Sequence, residues 1–330
     1  MDAAVTQRMK RVLFVQKAFL ALLMVVLTMA LLNLNPATRT EFFTSYNVVD
    51  LLTSNAIYII LAMGQTVVLI AGGVDLSIGG VMSLSGIVAI QLINAGVPVP
   101  IAIALCLLLG AVVGAFNAYF SVLQRMEPFI VTIGMGILLT GVGQQLTDAR
   151  PVSGSEPTFA NIANFKFFDL VPVLVVVMAA IVAITYWMLR STSFGRNVYA
   201  VGGDYEVAQY SGINVVTTKA LPYVISGVTA ALGGVMLSSQ LNAGNSIFGD
   251  NTALYVVCAV VVGGTSVAGG IGGALRSMIG VILLGTLTNA FNMLRIDSMV
   301  PYLPQALLGL IIVFILWLDS YGRKRRREAV

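Results

Sequence analysis

STSFGRNVYAVGGDYEVAQYSGINVVTTK, residues 191–219, decides how the rest of this chain is read. It carries Arg196, Asp204, Glu206 and Lys219, with Arg190 just ahead of it. No apolar run in it could cross a bilayer, whereas the segments on both sides hold such runs. A polar island of this size is either a connector or a docking surface. Val207, Gln209 and Tyr210 can sit on one short helix, with Gly202 and Gly203 before it and Gly212 after it. Glycine suits a helix end because it adopts positive φ without steric cost. A short helix so bounded is a rigid knob, able to carry a push from a partner into the flanking spans.

The composition fits a membrane setting. The 330 residues are 58% hydrophobic and 10% charged, and the mean hydropathy is +0.94; soluble domains carry about 25% charged residues. The expected fold is all-α, a polytopic bundle of membrane helices. The net charge of +4 does not point to nucleic acid, because the basic residues cluster beside apolar runs, where topology signals lie. Arg8, Lys10, Arg11 and Lys17 precede the first such run, as in a signal peptide. No small-x-small cleavage site follows Leu34, so an uncleaved first span is expected. Cys106 and Cys258 lie in apolar segments and read as buried structural thiols.

Ten spans fit the chain, at about 18–34, 51–71, 77–94, 101–122, 129–147, 171–189, 220–240, 252–263, 274–291 and 301–319. Residues 1–17 form an N-terminal segment, 18–320 one transmembrane domain and 321–330 a basic tail. An even count puts both termini on one side, and that side holds 14 of the 18 Lys and Arg residues. It is therefore expected to be cytoplasmic. Tyr186, Trp187, Trp317 and Tyr321 fall at cytoplasmic ends of spans, where interfacial aromatics belong. The island is then cytoplasmic, and residues 148–170 face outside.

Two glycine-rich breaks interrupt the apolar pattern. Gly72, Gly73, Asp75 and Ser77 separate the second and third spans, and Gly263 and Gly264 end a short eighth one. Irregular backbone at membrane depth is tolerated only where protein or water covers it. Breaks in both halves of a chain suggest a transporter with an internal repeat, although no residue-level repeat is visible. Asp75 or Ser77 can cap the third span, or Asp75 can line the path or its gate. Glu127, just before Pro128, belongs to a helix start. Gly110-xxx-Gly114 would let two helices approach closely.

Much chemistry is excluded. The chain has no His, which removes Ser-His triads, His-ligated zinc and His proton relays. It has no phosphate-binding GxxxxGK[ST] loop. No metal site or catalytic set is visible, which counts against a membrane enzyme. A proton- or sodium-coupled carrier needs ionisable groups at mid-membrane, and only Asp75 offers one.

GGVDLSIGGVMSLSG, EPFIVTIGMG, SFGRNVYAVGGDYEVAQYSGI and VVGGTSVAGGIGG occur in this order along the chain. Together they resemble the permease subunits of ribose-type ABC importers, a family shared with branched-chain amino-acid-like permeases. The resemblance covers about residues 45–320. It implies a multi-pass permease of the bacterial inner membrane that passes a monosaccharide received from a periplasmic sugar-binding protein. A separate ATPase subunit would drive it and bind ATP and Mg, with no cofactor in this chain. A second permease copy, as a homodimer, is also implied. Glu206-Val207-Ala208-xxx-Gly212 resembles the EAAxxxG coupling loop of ABC importers, with Val in place of the first Ala and Leu221-Pro222 one residue early. The resemblance assigns ATPase coupling to Gly195, Arg196, Asp204, Tyr205, Glu206, Ala208 and Gly212. It leaves Gly72, Gly73, Asp75, Ser77, Gly263 and Gly264 to the helix breaks or the path. A branched-chain amino acid or another small polar solute is the alternative cargo.

Overall fold

The computed structural model describes residues 17–34, 40–167 and 171–294, with isolated positions 306, 309, 310 and 313. Twelve α-helices occur among the described residues. They are α1 Lys17–Leu34, α2 Ser45–Ile70, α3 Ile78–Asn94, α4 Val99–Ala118, α5 Pro128–Thr147 and α6 Pro157–Asn164. Then come α7 Val173–Ser191, α8 Ser193–Gly203, α9 Tyr205–Tyr210, α10 Val215–Leu241, α11 Thr252–Val262 and α12 Ala274–Met293. A π-turn, Tyr119–Leu123, continues α4. Two antiparallel pairs of two-residue strands join β1 Val152–Ser153 to β4 Ala243–Gly244, and β2 Lys166–Phe167 to β3 Val171–Pro172.

Six helices, namely α2, α4 with its π-turn, α5, α7, α10 and α12, are long and apolar enough to cross a membrane. Shorter apolar helices α1, α3 and α11 stand at three more of the expected span positions. The chain is a polytopic helical membrane protein. The tenth expected span, 301–319, lies outside the described residues except at the four isolated positions. Residues 1–16 and the tail 321–330 lie outside them entirely.

The core forms around α2 and α10. From Ala56 to Ile70 every residue of α2 except Tyr58 is buried. α10 packs on α2, α3 and α4. Its crossing with α4 falls at the Gly110-xxx-Gly114 motif. A Cβ on Gly110 would stand 2.3 Å from the Gly227 carbonyl oxygen, and one on Gly114 2.3 Å from that of Tyr223. Small residues let the two backbones touch and gain dispersion contacts that larger ones would forbid. Outside this core, α4, α5 and α7 expose Phe116, Ile137, Leu138, Ile184 and Trp187, a surface suited to lipid.

Two elements differ from the sequence expectation. α10 starts at Val215, although Lys219 and Pro222 favour a later start. Asn214 outweighs them by accepting the Thr217 N–H at 3.1 Å as an N-cap, and Pro222 is carried inside the helix. The 148–170 segment contains α6, which docks on α10 through one hydroxyl. Ser239 Oγ donates to the Phe159 carbonyl at 2.5 Å and accepts the Ala163 N–H at 3.0 Å.

Candidate coupling platform and helix breaks

The polar island folds as two helices, α8 and α9. Thr192 caps α8 by accepting the Gly195 N–H at 3.1 Å. A Cβ on Gly195 would lie 2.4 Å from the carbonyl oxygens of Met188 and Leu189, so only glycine lets α8 fold back on the end of α7. Asp204 caps α9 through the Val207 N–H at 3.0 Å. Gly212 ends the turn after α9 with φ of +79°, as its place in the sequence suggested, and the Ile213 N–H donates to the Ala208 carbonyl at 3.2 Å.

The platform has an inside and an outside. Ala208 is 3% exposed and packs with Val201, Ile213 and Val215. It ties α9 to α8 and α10 and is turned away from the outward face. The outward face offers Val207, 61% exposed, and Tyr210, 90% exposed, beside the exposed Tyr205, Glu206 and Gln209. Arg196 and Asp204 are also exposed. Lys219 Nζ lies 5.6 Å from the Tyr205 ring centroid, a cation–π contact. A cleft of about 1050 Å³ separates α9 and the start of α10 from the turn that holds Arg125 and Glu127.

The platform and the helix breaks, separate in sequence, meet in space. The first break runs from Ala71 to Ser77 and the second from Gly263 to Gly273. Gly202, at the end of α8, touches the last residue of α2, where the first break begins, and the second break itself. A Cβ there would fall 1.8 Å from the Ile70 carbonyl oxygen and 2.8 Å from the Gly270 nitrogen. The Gly270 N–H itself donates to the Ile70 carbonyl at 2.9 Å, closing the two breaks on each other. Tyr199 of α8 donates to the Gly272 carbonyl at 3.0 Å. Burial raises the Tyr199 phenol above its ordinary range, and the nearby Arg276 partly opposes this. Behind the second break, Thr66 donates to Ser277 at 2.7 Å, and the Ser277 and Thr265 hydroxyls lie 3.1 Å apart. Tyr199, Thr66, Thr265 and Ser277 carry no sequence signal, because their spacing along the chain says nothing of contact between distant segments.

Asp75 is fully buried in the first break. Its Oδ1 accepts the Ser77 N–H at 3.0 Å and the Ser77 hydroxyl at 2.6 Å, an Asx turn that leads into α3. Asn117 of α4 donates to Ser77 Oγ at 2.8 Å. Ser226 of α10 lies near the Asp75 carboxylate, and its hydroxyl and the Asp75 Oδ2 are both buried without a hydrogen bond. Ser77 is the N-cap residue of α3, yet its hydroxyl makes no bond to a helix N–H. Gly72 turns the chain with φ of +79°, and Gly264 does so in the second break with φ of +102°. Gly73 lies against the Tyr223 hydroxyl, and Gly263 against the backbone of Arg276. No cluster of metal-binding side chains occurs among the described residues.

The family model for the permease component of branched-chain amino acid transport systems matches residues 47–316. The chain belongs to that family. Within the permease family it is 32% identical to the ribose import permease protein of Haemophilus influenzae, over 96% of both chains. It is 33% identical to the ribose import permease protein of Bacillus subtilis, over 90% of this chain and 91% of that one. It is 32% identical to the D-allose transport system permease protein of Escherichia coli, over 84% of each. No solved structure matches the permease.

Proposed function

We propose that the chain is the transmembrane permease subunit of an ABC importer, passing a monosaccharide delivered by a periplasmic binding protein under the drive of a separate ATPase subunit. The observation that carries this reading is the contact of α8 with both helix breaks through Gly202, Gly269 and Gly270. A push on the outward face of α9 passes through Ala208 to α8, and from α8 to the ends of α2 and α11. These are the elements a transporter must shift to open and close a path. The sugar permeases similar to this chain over nearly its full length favour a sugar as cargo. The family description names branched-chain amino acids and supports that cargo as the second reading.

The platform residues then divide the work. Tyr205, Glu206, Val207, Gln209 and Tyr210 meet the ATPase, with Arg196 and Asp204 at the margin. Gly195, Ala208 and Gly212 hold the platform's shape. Asp75 and Ser77 set the start of α3 beside the moving break. ATP and Mg stay on the partner, and the permease performs no chemistry of its own. The ten-span reading, with both termini cytoplasmic in the inner membrane, rests on the charge asymmetry of the whole chain. The working unit is a homodimer with two ATPase subunits. To test the function, the permease, its ATPase and its binding protein are reconstituted in proteoliposomes, and ATP-dependent uptake of labelled ribose, D-allose, D-xylose and leucine is measured. Uptake of a sugar but not of leucine is expected; uptake of leucine alone would overturn the cargo.

A further inference from the structure

At the end of the bundle opposite the platform, α2, α11 and α12 frame an open cleft of about 260 Å³. Asp50, Ser54 and Tyr58 follow one another at four-residue spacing, which puts them on one face of α2 and on the cleft wall. Tyr255 of α11 sets its ring 4.9 Å from that of Tyr58, tilted by 57°. Asn289 and Asn292 of α12 form the other side. Asn289 exchanges two amide hydrogen bonds with Asn47, of 3.1 and 2.8 Å, which fix α12 to α2 at the rim. The Asp50 carboxylate, the Ser54, Tyr58 and Tyr255 hydroxyls and the Asn292 amide have no hydrogen-bond partner among the described residues.

Such a surface is out of place on membrane helices unless something polar fills it. Asp50 and Asn292 stand at the mouth, just beyond the apolar runs 51–71 and 274–291, while Ser54, Tyr58 and Tyr255 carry the wall into the apolar part of the bundle, where lipid tails cannot satisfy unpaired hydroxyls. The polar face also continues inward. Gln65 lies seven residues on from Tyr58, two turns deeper on the same face, and is fully buried with neither amide atom partnered. Asp50 is twenty residues before Ile70, so the cleft stands about 30 Å along α2 from the platform.

We propose that this cleft binds the sugar in transit. A monosaccharide presents a rim of hydroxyls and a C–H face. The carboxylate can accept from the hydroxyls, the Asn292 amide can both donate and accept, and the paired tyrosine rings offer an apolar wall with polar tips. The volume suits one sugar ring with a few waters and is small for a larger ligand. The inference rests on the monosaccharide reading above.

The test uses the complete importer in proteoliposomes, with Asn292→Leu, Tyr255→Leu and Tyr255→Phe, and labelled ribose, D-allose and D-xylose. In a chain with Cys106→Ala and Cys258→Ala, Ser54→Cys is also labelled with a bulky maleimide, with and without each sugar. Uptake of the transported sugar is expected to fall about tenfold in both Leu variants, and less in Tyr255→Phe, with ATPase co-purification unchanged. The same sugar slows the labelling of Ser54→Cys; if a Leu variant fails to assemble, this protection decides. Wild-type uptake in the Leu variants would overturn the site while leaving the monosaccharide reading intact. So would unprotected labelling, or a Ser54→Cys disulfide between two permease copies, which would make the cleft a subunit contact. Failure of the wild-type importer to move any of the three sugars would instead overturn the monosaccharide reading, and the site with it.

Discussion

Gly202 leaves no room for one added carbon, while a Cβ on Gly203 beside it would meet nothing within 4 Å. The two neighbours should therefore have opposite fates. Gly202→Ala must push α8 away from Ile70 and Gly270, at about 1–3 kcal/mol. We expect a lower unfolding midpoint in detergent and loss of uptake, with Gly203→Ala close to wild type; equal behaviour of the pair would contradict the packing. Asp75 gives a second test. Its Oδ1 holds both Ser77 groups, and an Asn side-chain oxygen can do the same. Asp75→Asn should keep most uptake. Asp75→Leu leaves the Ser77 N–H unpaired in the interior and should cost about 1–3 kcal/mol, read as a drop in the unfolding midpoint. Loss of uptake in a stably inserted Asn variant would show that the charge itself is needed. Asp75, Ser77 and the glycines were legible as a break in an apolar run. Their neighbours Asn117, Ser226 and Tyr223 were not, since polar residues inside spans show no period that names a neighbour.

Among the elements, the apolar helices were readable because about twenty apolar residues in a row can form little else. The helix α9 was readable because Gly202 and Gly203 precede it and Gly212 follows it, whereas its cap, Asp204, shows only in the structure. α8 was not. Its sequence, SFGRNVYAVGG, carries three glycines, and it is held as a helix by Thr192 and by packing on α7 and Ile70; tertiary contact of this kind outweighs weak propensity. The start of α2 was also missed. Thr44 accepts the Asn47 N–H at 3.2 Å and begins the helix at Ser45. That early start places Asp50 on the same helix face as Ser54 and Tyr58 and creates the cleft. The outer segment makes a further prediction at this scale. Ser155 is exposed and bonded to Asn94 beside α6. In a cysteine-free chain, Ser155→Cys should react with a membrane-impermeant maleimide added outside intact spheroplasts. Reaction only after the cytoplasmic side is opened would reverse the topology.

For the molecule as a whole, the claim is that a docked ATPase works the permease from one end and the solute moves at a distance. The parts are one outward helix face, one glycine contact and two breaks in otherwise regular helices. Rigidity matters here more than affinity, because a soft platform would absorb the push. The apolar runs outlined the helices and the two breaks, whereas the joining of both breaks at Gly202 emerges only in three dimensions. The most direct measurement is made on Val207→Asp with Tyr210→Ala, two side chains that lie outside the platform's own core. The double variant should insert and unfold like the wild type. ATPase co-purification and ATP-dependent sugar uptake in proteoliposomes are then read together. The account predicts that both fall about tenfold or more, because two exposed anchor residues of a docking face are gone. Wild-type capture and wild-type uptake would contradict it and leave residues 191–214 as a connector.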